Sequence, residues 1–347
     1  MAKSSVEKNI ALFQEEEPSL ESYWRSIVLF GKNTASYKFS LAESLLFFAI
    51  KNKSEISLNE LAEPFSKNIC RHLLNSPKQT TNKTSAFLEA CANYNTDKIT
   101  YDELISTTEK NGFNYVLDAF HNVNGESIPK KFYYYEKNKI ILSDDLFKLS
   151  ENKLEKNLEE ENEARWNLVE TAWEMNIASN LLDVKFDDET KLFLVNDRFK
   201  RKDITSARAA LNGYQKGKCF YCKSNITVSQ DSTNDCDVDH FFPHTVQKYM
   251  PDYVNINGVW NLVLACPNCN RGENGKFAKV PATKYLDLLH KRNEFLISSH
   301  HPLRETLMMQ TGMTEEQRVH FLKTIDKFAI NRMIHRWETE QVKEPTF

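Results

Sequence analysis

The chain of 347 residues carries 45 Lys and Arg against 48 Asp and Glu, which gives a formal net charge of −3. Its 41% hydrophobic residues exclude global disorder, and its length favours two or three domains. The near-neutral charge excludes a protein that coats nucleic acid with its whole surface. No apolar run of about 18 residues occurs, so we predict no membrane span. The N-terminal segment has no apolar core of an export signal, and we expect a cytoplasmic protein.

Residues 1–128 are predicted to form a helical region. Apolar residues recur at helical spacing over about 19–30 and 35–51. Two capping-box patterns predict where further helices begin. These patterns are Ser57 with Glu60 and Thr100 with Glu103. Because this region is acidic and carries no catalytic motif, we predict that it binds a protein partner, regulates the chain or mediates self-association.

Residues 129–202 are predicted to connect this region to the next. Two β-rich runs on either side of the polar EKNK predict a hairpin within 130–142. A charged helix should follow up to about residue 177, and a pair of strands should lie within 184–195. The basic stretch DRFKRKD at 197–203 is either a linker or an edge that contacts phosphate.

Residues 203–300 are predicted to be a zinc-stabilised domain, followed by a helical extension over 301–347. Residues 1–196 hold 23 Lys and Arg against 31 Asp and Glu, whereas residues 197–300 hold 15 against 10. The basic segment contains two Cys-x-x-Cys pairs, each able to direct two thiolates at one ion, and two such pairs complete a tetrahedral zinc site. The pairs are Cys219 with Cys222 and Cys266 with Cys269.

The other three cysteines do not fit this spacing. Cys70 and Cys91 are expected to be core thiols, and Cys236 has no assigned role. The long segment between the two pairs indicates that a folded element lies between them, which a simple zinc ribbon does not have.

That intervening segment resembles the HNH endonuclease family. Asp239 and His240, followed by two apolar residues and a proline, are similar to the opening of the HNH motif. Asn261 matches its central Asn, and Asn270 stands where most members have His. The stretches DVDH and NRGENGKFAKVP are similar to those in the HNH domain of RNA-guided CRISPR nucleases, where Asn also takes the third position. The resemblance covers about residues 205–285.

The resemblance implies a ββα-metal finger, so the expected fold class is α+β, a mostly helical chain that carries a zinc-stapled finger. In such a finger Asp239 and Asn270 would hold a divalent cation, His240 would be the general base, and Asn261 would hold the loop that bears the histidine. A carboxylate and an amide oxygen favour Mg²⁺ or Mn²⁺, and a neutral imidazole suits deprotonation of water. Asp237 is either a carboxylate that orients these groups or a solvated residue.

Basic side chains around the motif are candidates for contact with nucleic acid, and Arg271 and Lys276 are the best of them. Tyr221 is a candidate for base stacking. We expect a metal-dependent endonuclease that cleaves DNA, of a prokaryotic defence or restriction type. Two alternatives remain open, a nuclease that cleaves RNA and a non-catalytic zinc protein that binds nucleic acid or acts as a scaffold.

Overall fold

The computed structural model describes most of the chain. The described residues are 5–15, 18–31, 33–82, 84–123, 125–151, 155–174, 184–187, 192–197, 200–228, 236–251, 253–299 and 302–340. They divide into two compact units. We call Pro18–Ile177 the helical unit, and Met1–Glu17 together with Ala178–Phe347 the finger unit. None of the described helices combines the length and the apolarity that crossing a bilayer requires.

Helix α1 (Ser5–Glu15) belongs to the finger unit, and the helical unit follows it. The elements of the helical unit are α2 (Leu20–Phe30), α3 (Tyr37–Ile50), β1 (Glu55–Ser57), α4 (Leu58–Leu73), α5 (Ala86–Tyr94), α6 (Tyr101–Asn111), α7 (Val116–Ala119), β2 (Asn122–Val123), β3 (Glu126–Ser127), β4 (Tyr133–Glu136), β5 (Lys139–Leu142), α8 (Asp144–Glu151) and α9 (Glu155–Glu174).

Both predicted capping boxes are confirmed at the starts of α4 and α6. The hydroxyl of Ser57 accepts from the backbone N–H of Glu60, and the Glu60 carboxylate accepts from the backbone N–H of Ser57. Thr100 and Glu103 make the same reciprocal pair. Each box satisfies backbone donors that a helix start otherwise leaves unpaired, which fixes where the helix begins.

The predicted hairpin is confirmed as β4 and β5, and it belongs to the helical unit. Strand β5 also pairs antiparallel with β1, which gives a three-stranded sheet in the order β1-β5-β4. The expected division between residues 128 and 129 therefore does not coincide with a unit boundary, because β5 pairs with β1, which lies more than 80 residues earlier. The charged helix expected after the hairpin is described over α8 and α9, and residues 152–154 between them lie outside the described residues.

A buried polar cluster joins α4 to α9 within this unit. The imidazole of His72 stacks on the Trp166 indole, with ring centroids 3.5 Å apart. Its Nδ1 donates to Glu170 at 2.7 Å, and its Nε2 lies 3.2 Å from Glu163. Burial lowers the pKa of His72, but the hydrogen bonds and charges of the two glutamates outweigh burial and raise it to about 9. The histidine is therefore charged in the folded unit at neutral pH.

This cluster predicts that the helical unit loses stability in mild alkali. The folded pKa of His72 lies above its unfolded value, so the stabilisation is complete below pH 6.5 and is lost as the pH rises through 9. We expect a loss of up to about 3 kcal/mol between pH 6 and pH 9.5, or roughly 5–10 °C in melting temperature. Calorimetry of wild type and His72→Gln measures it, with exposed His320→Gln as the control. An equal pH dependence in wild type and His72→Gln contradicts the prediction.

The finger unit combines α1 with the C-terminal half of the chain. Its further elements are β6 (Val184–Asp187), β7 (Leu192–Asp197), β8 (Lys200–Ser206), α10 (Ala207–Asn212), β9 (Asp237–His240), β10 (Leu262–Ala265), α11 (Pro267–Arg271), β11 (Val280–Pro281), α12 (Lys284–Ser298), α13 (Pro302–Thr311), α14 (Glu315–Met333) and β12 (Arg336–Trp337).

Two features of this unit differ from the sequence-based expectation. Residues 200–203 of the basic stretch belong to a third antiparallel strand, β8, so this part is not a linker, and residues 198–199 lie outside the described residues. The last helix ends at Met333, and the chain then forms β12, which pairs in parallel with β11. The predicted boundaries at 202 and 300 do not coincide with the division of the chain into its two units.

Strands β9 and β10 pair antiparallel, and α11 follows β10 directly. We call these three elements the finger. Helix α12 supports it from behind, because the guanidinium of Arg292 donates to the carbonyl of Leu262 at 2.6 Å and the amide of Asn293 donates to that of Trp260 at 3.1 Å. Arg292 is fully buried, and its hydrogen bond to Leu262 holds strand β10 in place.

Candidate metal and catalytic centre

The first cysteine pair lies on a tight turn just before Ser224. The backbone N–H of Cys219 donates to the carbonyl of Ser224, and the N–H of Lys223 donates back to the carbonyl of Cys219. Lys223 has a φ of 62°, the left-handed conformation that closes the turn. Both thiols of the pair are buried by this folding. The two-residue spacing between Cys219 and Cys222 therefore directs both sulfurs to the same side.

The second pair stands at the start of α11. Cys266 precedes the helix and Cys269 lies within it. The backbone N–H of Cys266 reaches the sulfur of Cys219 at 3.3 Å, and the carbonyl of Cys269 accepts from the N–H of Lys276 at 2.7 Å. Backbone N–H groups directed at sulfur favour the thiolate form.

The four thiols form a cluster that can hold a zinc ion. Their sulfur atoms all lie within 4.8 Å of one another. Those of Cys222 and Cys266 are 3.7 Å apart, which fits the roughly 3.8 Å that tetrahedral geometry gives for a Zn–S bond of about 2.3 Å. Hydrogen bonding with Cys219 lowers the pKa of Cys266, which favours the thiolate form that binds zinc. Among the described residues this is the one group of three or more His, Cys, Asp or Glu close enough for a metal ion.

Asp239 lies on β9 with both carboxylate oxygens engaged. Its Oδ2 accepts from the Tyr221 hydroxyl at 2.7 Å, and its Oδ1 accepts from the Lys276 ammonium at 2.9 Å. Tyr221 stands between the cysteines of the first pair and is 3% exposed, so the suggestion that it stacks on bases is wrong. Lys276 is 0% exposed, so its assignment as a contact to nucleic acid is also wrong for this structure.

Asn270 and Arg271 meet Asp237, which shares the strand face of Asp239. The Nδ2 of Asn270 donates to Asp237 Oδ2 at 3.1 Å, and the Nε of Arg271 donates to the same oxygen at 2.8 Å. Because the Asn270 amide uses its nitrogen here, its carbonyl oxygen is turned away from Asp237. Asp237 was predicted to be either a carboxylate that orients its neighbours or a solvated residue. Its contacts with Asn270 and Arg271 support the first interpretation. The Arg271 side chain is 64% exposed.

His240 points to the opposite face of β9, as alternation along a strand requires. Its Nε2 lies 2.8 Å from Asn257 Oδ1, and its ring centroid lies 5.9 Å from that of the exposed His244. An amide oxygen only accepts, so Nε2 carries the proton of the neutral ring and Nδ1 is its basic nitrogen. The sequence analysis did not identify Asn257. The one feature of the sequence that indicates it is its position four residues before Asn261, the central Asn of the motif.

Asn261 holds the loop after His240 through three hydrogen bonds. Its Oδ1 accepts from the N–H of Phe242 at 2.8 Å, and its Nδ2 donates to the carbonyls of Phe242 and Ile256, each at 2.9 Å. The side chain is fully buried. These bonds run across the finger, as the resemblance implied for this residue.

Replacing Asn261 by alanine should destabilise the finger. The change leaves buried backbone groups without partners, and each such group costs about 1–3 kcal/mol. We expect a total loss of at least 3 kcal/mol in the free energy of unfolding, measured by urea denaturation of the zinc-loaded protein. Asn268→Ala, an exposed Asn of α11, is the control and should change stability by less than about 0.5 kcal/mol. Equal stability of the two variants refutes this account of Asn261.

The oxygen donors suit a hard divalent cation, but one neighbouring charge opposes it. A carboxylate has about four lone-pair positions, and Tyr221 and Lys276 use two of those on Asp239. Asp239 and the Asn270 carbonyl are thus ligands of the kind that Mg²⁺ prefers. The ammonium of Lys276, however, already neutralises Asp239. Comparisons with protein-family models, curated proteins and solved structures give no match to this chain.

Proposed function

We propose that the chain is a metal-dependent endonuclease of the HNH type. One observation carries the proposal: β9, β10 and α11 bring the Asp-His pair, Asn261 and Asn270 into one ββα finger that is joined to a four-cysteine cluster. The contact of Asn270 with Asp237 at 3.1 Å joins α11 to the strand that carries Asp239. The residue types agree with phosphodiester hydrolysis.

In the proposed reaction each side chain has one role. His240 accepts a proton from the attacking water through Nδ1, and Asn257 fixes the ring by accepting from Nε2. Asp239 and Asn270 would hold a Mg²⁺ or Mn²⁺ ion, which when bound stabilises charge on the phosphate and the leaving oxygen. Arg271, anchored through its Nε to Asp237, would contact a phosphate of the substrate. In the four-cysteine cluster zinc would serve only to hold the finger together.

The polynucleotide would lie along the exposed surface beside His240. His244 and Lys248 are exposed on the 3₁₀ turn that follows β9. Lys248 and Arg332 have their charged groups 4.8 and 5.0 Å from the ring centroid of the exposed Tyr249. Exposed cations beside an exposed aromatic ring suit a flexible polyanion. Lys248, Tyr249 and Arg332 replace Lys276 as proposed contacts to nucleic acid.

A second function, a zinc-dependent scaffold without turnover, is favoured by the buried pair of Lys276 and Asp239. A cleavage assay separates the two. Zinc-loaded protein is incubated with supercoiled plasmid, duplex DNA or structured RNA in Mg²⁺ or Mn²⁺. Cleavage of DNA supports the proposal, cleavage of RNA alone supports the RNA-cleaving alternative, and no cleavage supports the scaffold. The defence context and the role of the helical unit as a partner-binding module remain part of the proposal.

A further inference from the structure

Lys276 lies where the proposed metal ligand Asp239 would meet a cation. Its ammonium donates to Asp239 Oδ1 at 2.9 Å, to the backbone carbonyl of His240 at 2.9 Å and to that of Phe277 at 3.1 Å. An ammonium group has three N–H bonds, and each has an acceptor here. The side chain is 0% exposed, so water does not share these contacts.

The backbone holds this lysine in place. The N–H of Lys276 donates to the carbonyl of Cys269, and the N–H of Phe277 donates to that of Asn270, which ties both residues to the second cysteine pair. Phe277 has a φ of 48°, which turns the chain sharply after Lys276. The lysine is thus fixed by the same turn that positions the thiols. It differs in this from a surface lysine that reaches a carboxylate by chance.

The carboxylate is fixed from the other side as well. The Tyr221 hydroxyl donates to Oδ2 at 2.7 Å, so Asp239 is held between a neutral donor and a positive one. A divalent cation that binds Asp239 must come close to the ammonium. Two cations a few ångströms apart in a buried site repel each other strongly, because little water screens them.

We propose that Lys276 is the resident cation of Asp239, and that a divalent metal ion binds there in competition with its ammonium group. This inference rests on the assignment of Asp239 as a metal ligand in the proposed function. It gives the buried lysine a role in setting metal affinity, whereas a purely structural ion pair would only stabilise the fold. A cation that competes for Asp239 lowers the apparent affinity of the site for a metal ion, although it forms no bond to that ion.

The test is the affinity of the full-length, zinc-loaded protein for Mn²⁺, measured by titration calorimetry and by electron paramagnetic resonance. We expect Lys276→Met to bind Mn²⁺ at least about tenfold more tightly than wild type, because the competing charge is gone. Lys279→Met removes an exposed lysine three residues away and should bind as wild type does. Asp239→Asn, added to Lys276→Met, should abolish the gain.

Lys276→Gln guards against a variant that does not fold, since its amide can still donate to the carbonyls that Lys276 contacts. Zinc content and melting temperature identify the folded variants. Mn²⁺ affinity in Lys276→Gln and Lys276→Met equal to or weaker than in wild type overturns the inference, even if wild type cleaves DNA. Tighter Mn²⁺ binding without any cleavage supports the inference about Lys276 and instead refutes the proposed nuclease.

Discussion

Cys266→Ser should release zinc from the chain and unfold the finger. A serine hydroxyl is a poor zinc ligand at neutral pH, so the substitution removes one of the four thiolates of the cluster. Structural zinc contributes about 10–16 kcal/mol in small zinc-binding peptides, which is comparable to the whole free energy of unfolding of a typical domain. We expect zinc content to fall from one ion per chain to nearly none, with a melting temperature for the finger unit lower by more than 10 °C.

Elemental analysis and calorimetry measure the two effects. Cys236→Ser is the control, because Cys236 is a buried thiol of the same unit that lies outside the four-thiol cluster. It should keep its zinc even if its stability falls slightly. Unchanged zinc content in Cys266→Ser would refute the assignment of the four cysteines as zinc ligands.

Loss of zinc should also disturb the proposed catalytic residues. Tyr221 stands between the cysteines of the first pair and donates to Asp239. Its ring packs edge-on against Trp337 with centroids 5.0 Å apart, and Thr339 lies 3.7 Å from the sulfur of Cys269. The C-terminal segment therefore contacts both Tyr221 and the cysteine cluster, and Tyr221 in turn contacts Asp239. In a zinc-free chain we expect the hydrogen bond by which Tyr221 orients the Asp239 carboxylate to be lost.

The sequence predicted those parts of the structure that depend on short spacing. Capping boxes, the β4–β5 hairpin and each Cys-x-x-Cys turn involve residues within a few positions of one another. Their outcomes follow from local hydrogen bonding. The order of β9, β10 and α11 was also predictable, because alternating and apolar runs separated by turn signals identify these elements.

The sequence could not predict contacts that depend on distant partners. The sequence predicts that Lys276 contacts nucleic acid, because nothing near it in the chain indicates that Asp239, 37 residues earlier, meets its ammonium. The pairing of β1 with β5 joins residues more than 80 positions apart. The helical extension predicted over 301–347 differs for the same reason, since the chain leaves the helix after Met333 and β12 pairs with β11, which lies more than 50 residues earlier. Tertiary contacts override local propensity in each case.

His240→Ala should abolish cleavage while the finger stays folded. A general base contributes about 10²–10⁴-fold to rate, and we expect a loss of at least about 10²-fold in plasmid nicking with Mg²⁺. The backbone pairing of His240 with Leu262 does not involve the imidazole, and the side chain is only half-buried. Zinc content and melting temperature should therefore match those of wild type.

His244→Ala is the control for this substitution, because its exposed ring lies beside His240 but is not held by Asn257. We expect it to retain most of the activity. Asn257→Ala should fall between the two and shift the pH profile of cleavage, since it frees the ring that Asn257 orients without removing the basic nitrogen. Equal cleavage by wild type and His240→Ala would show that another group deprotonates the water. No cleavage by wild type in either Mg²⁺ or Mn²⁺ would refute the nuclease itself, because the remaining geometry would then serve only to hold zinc.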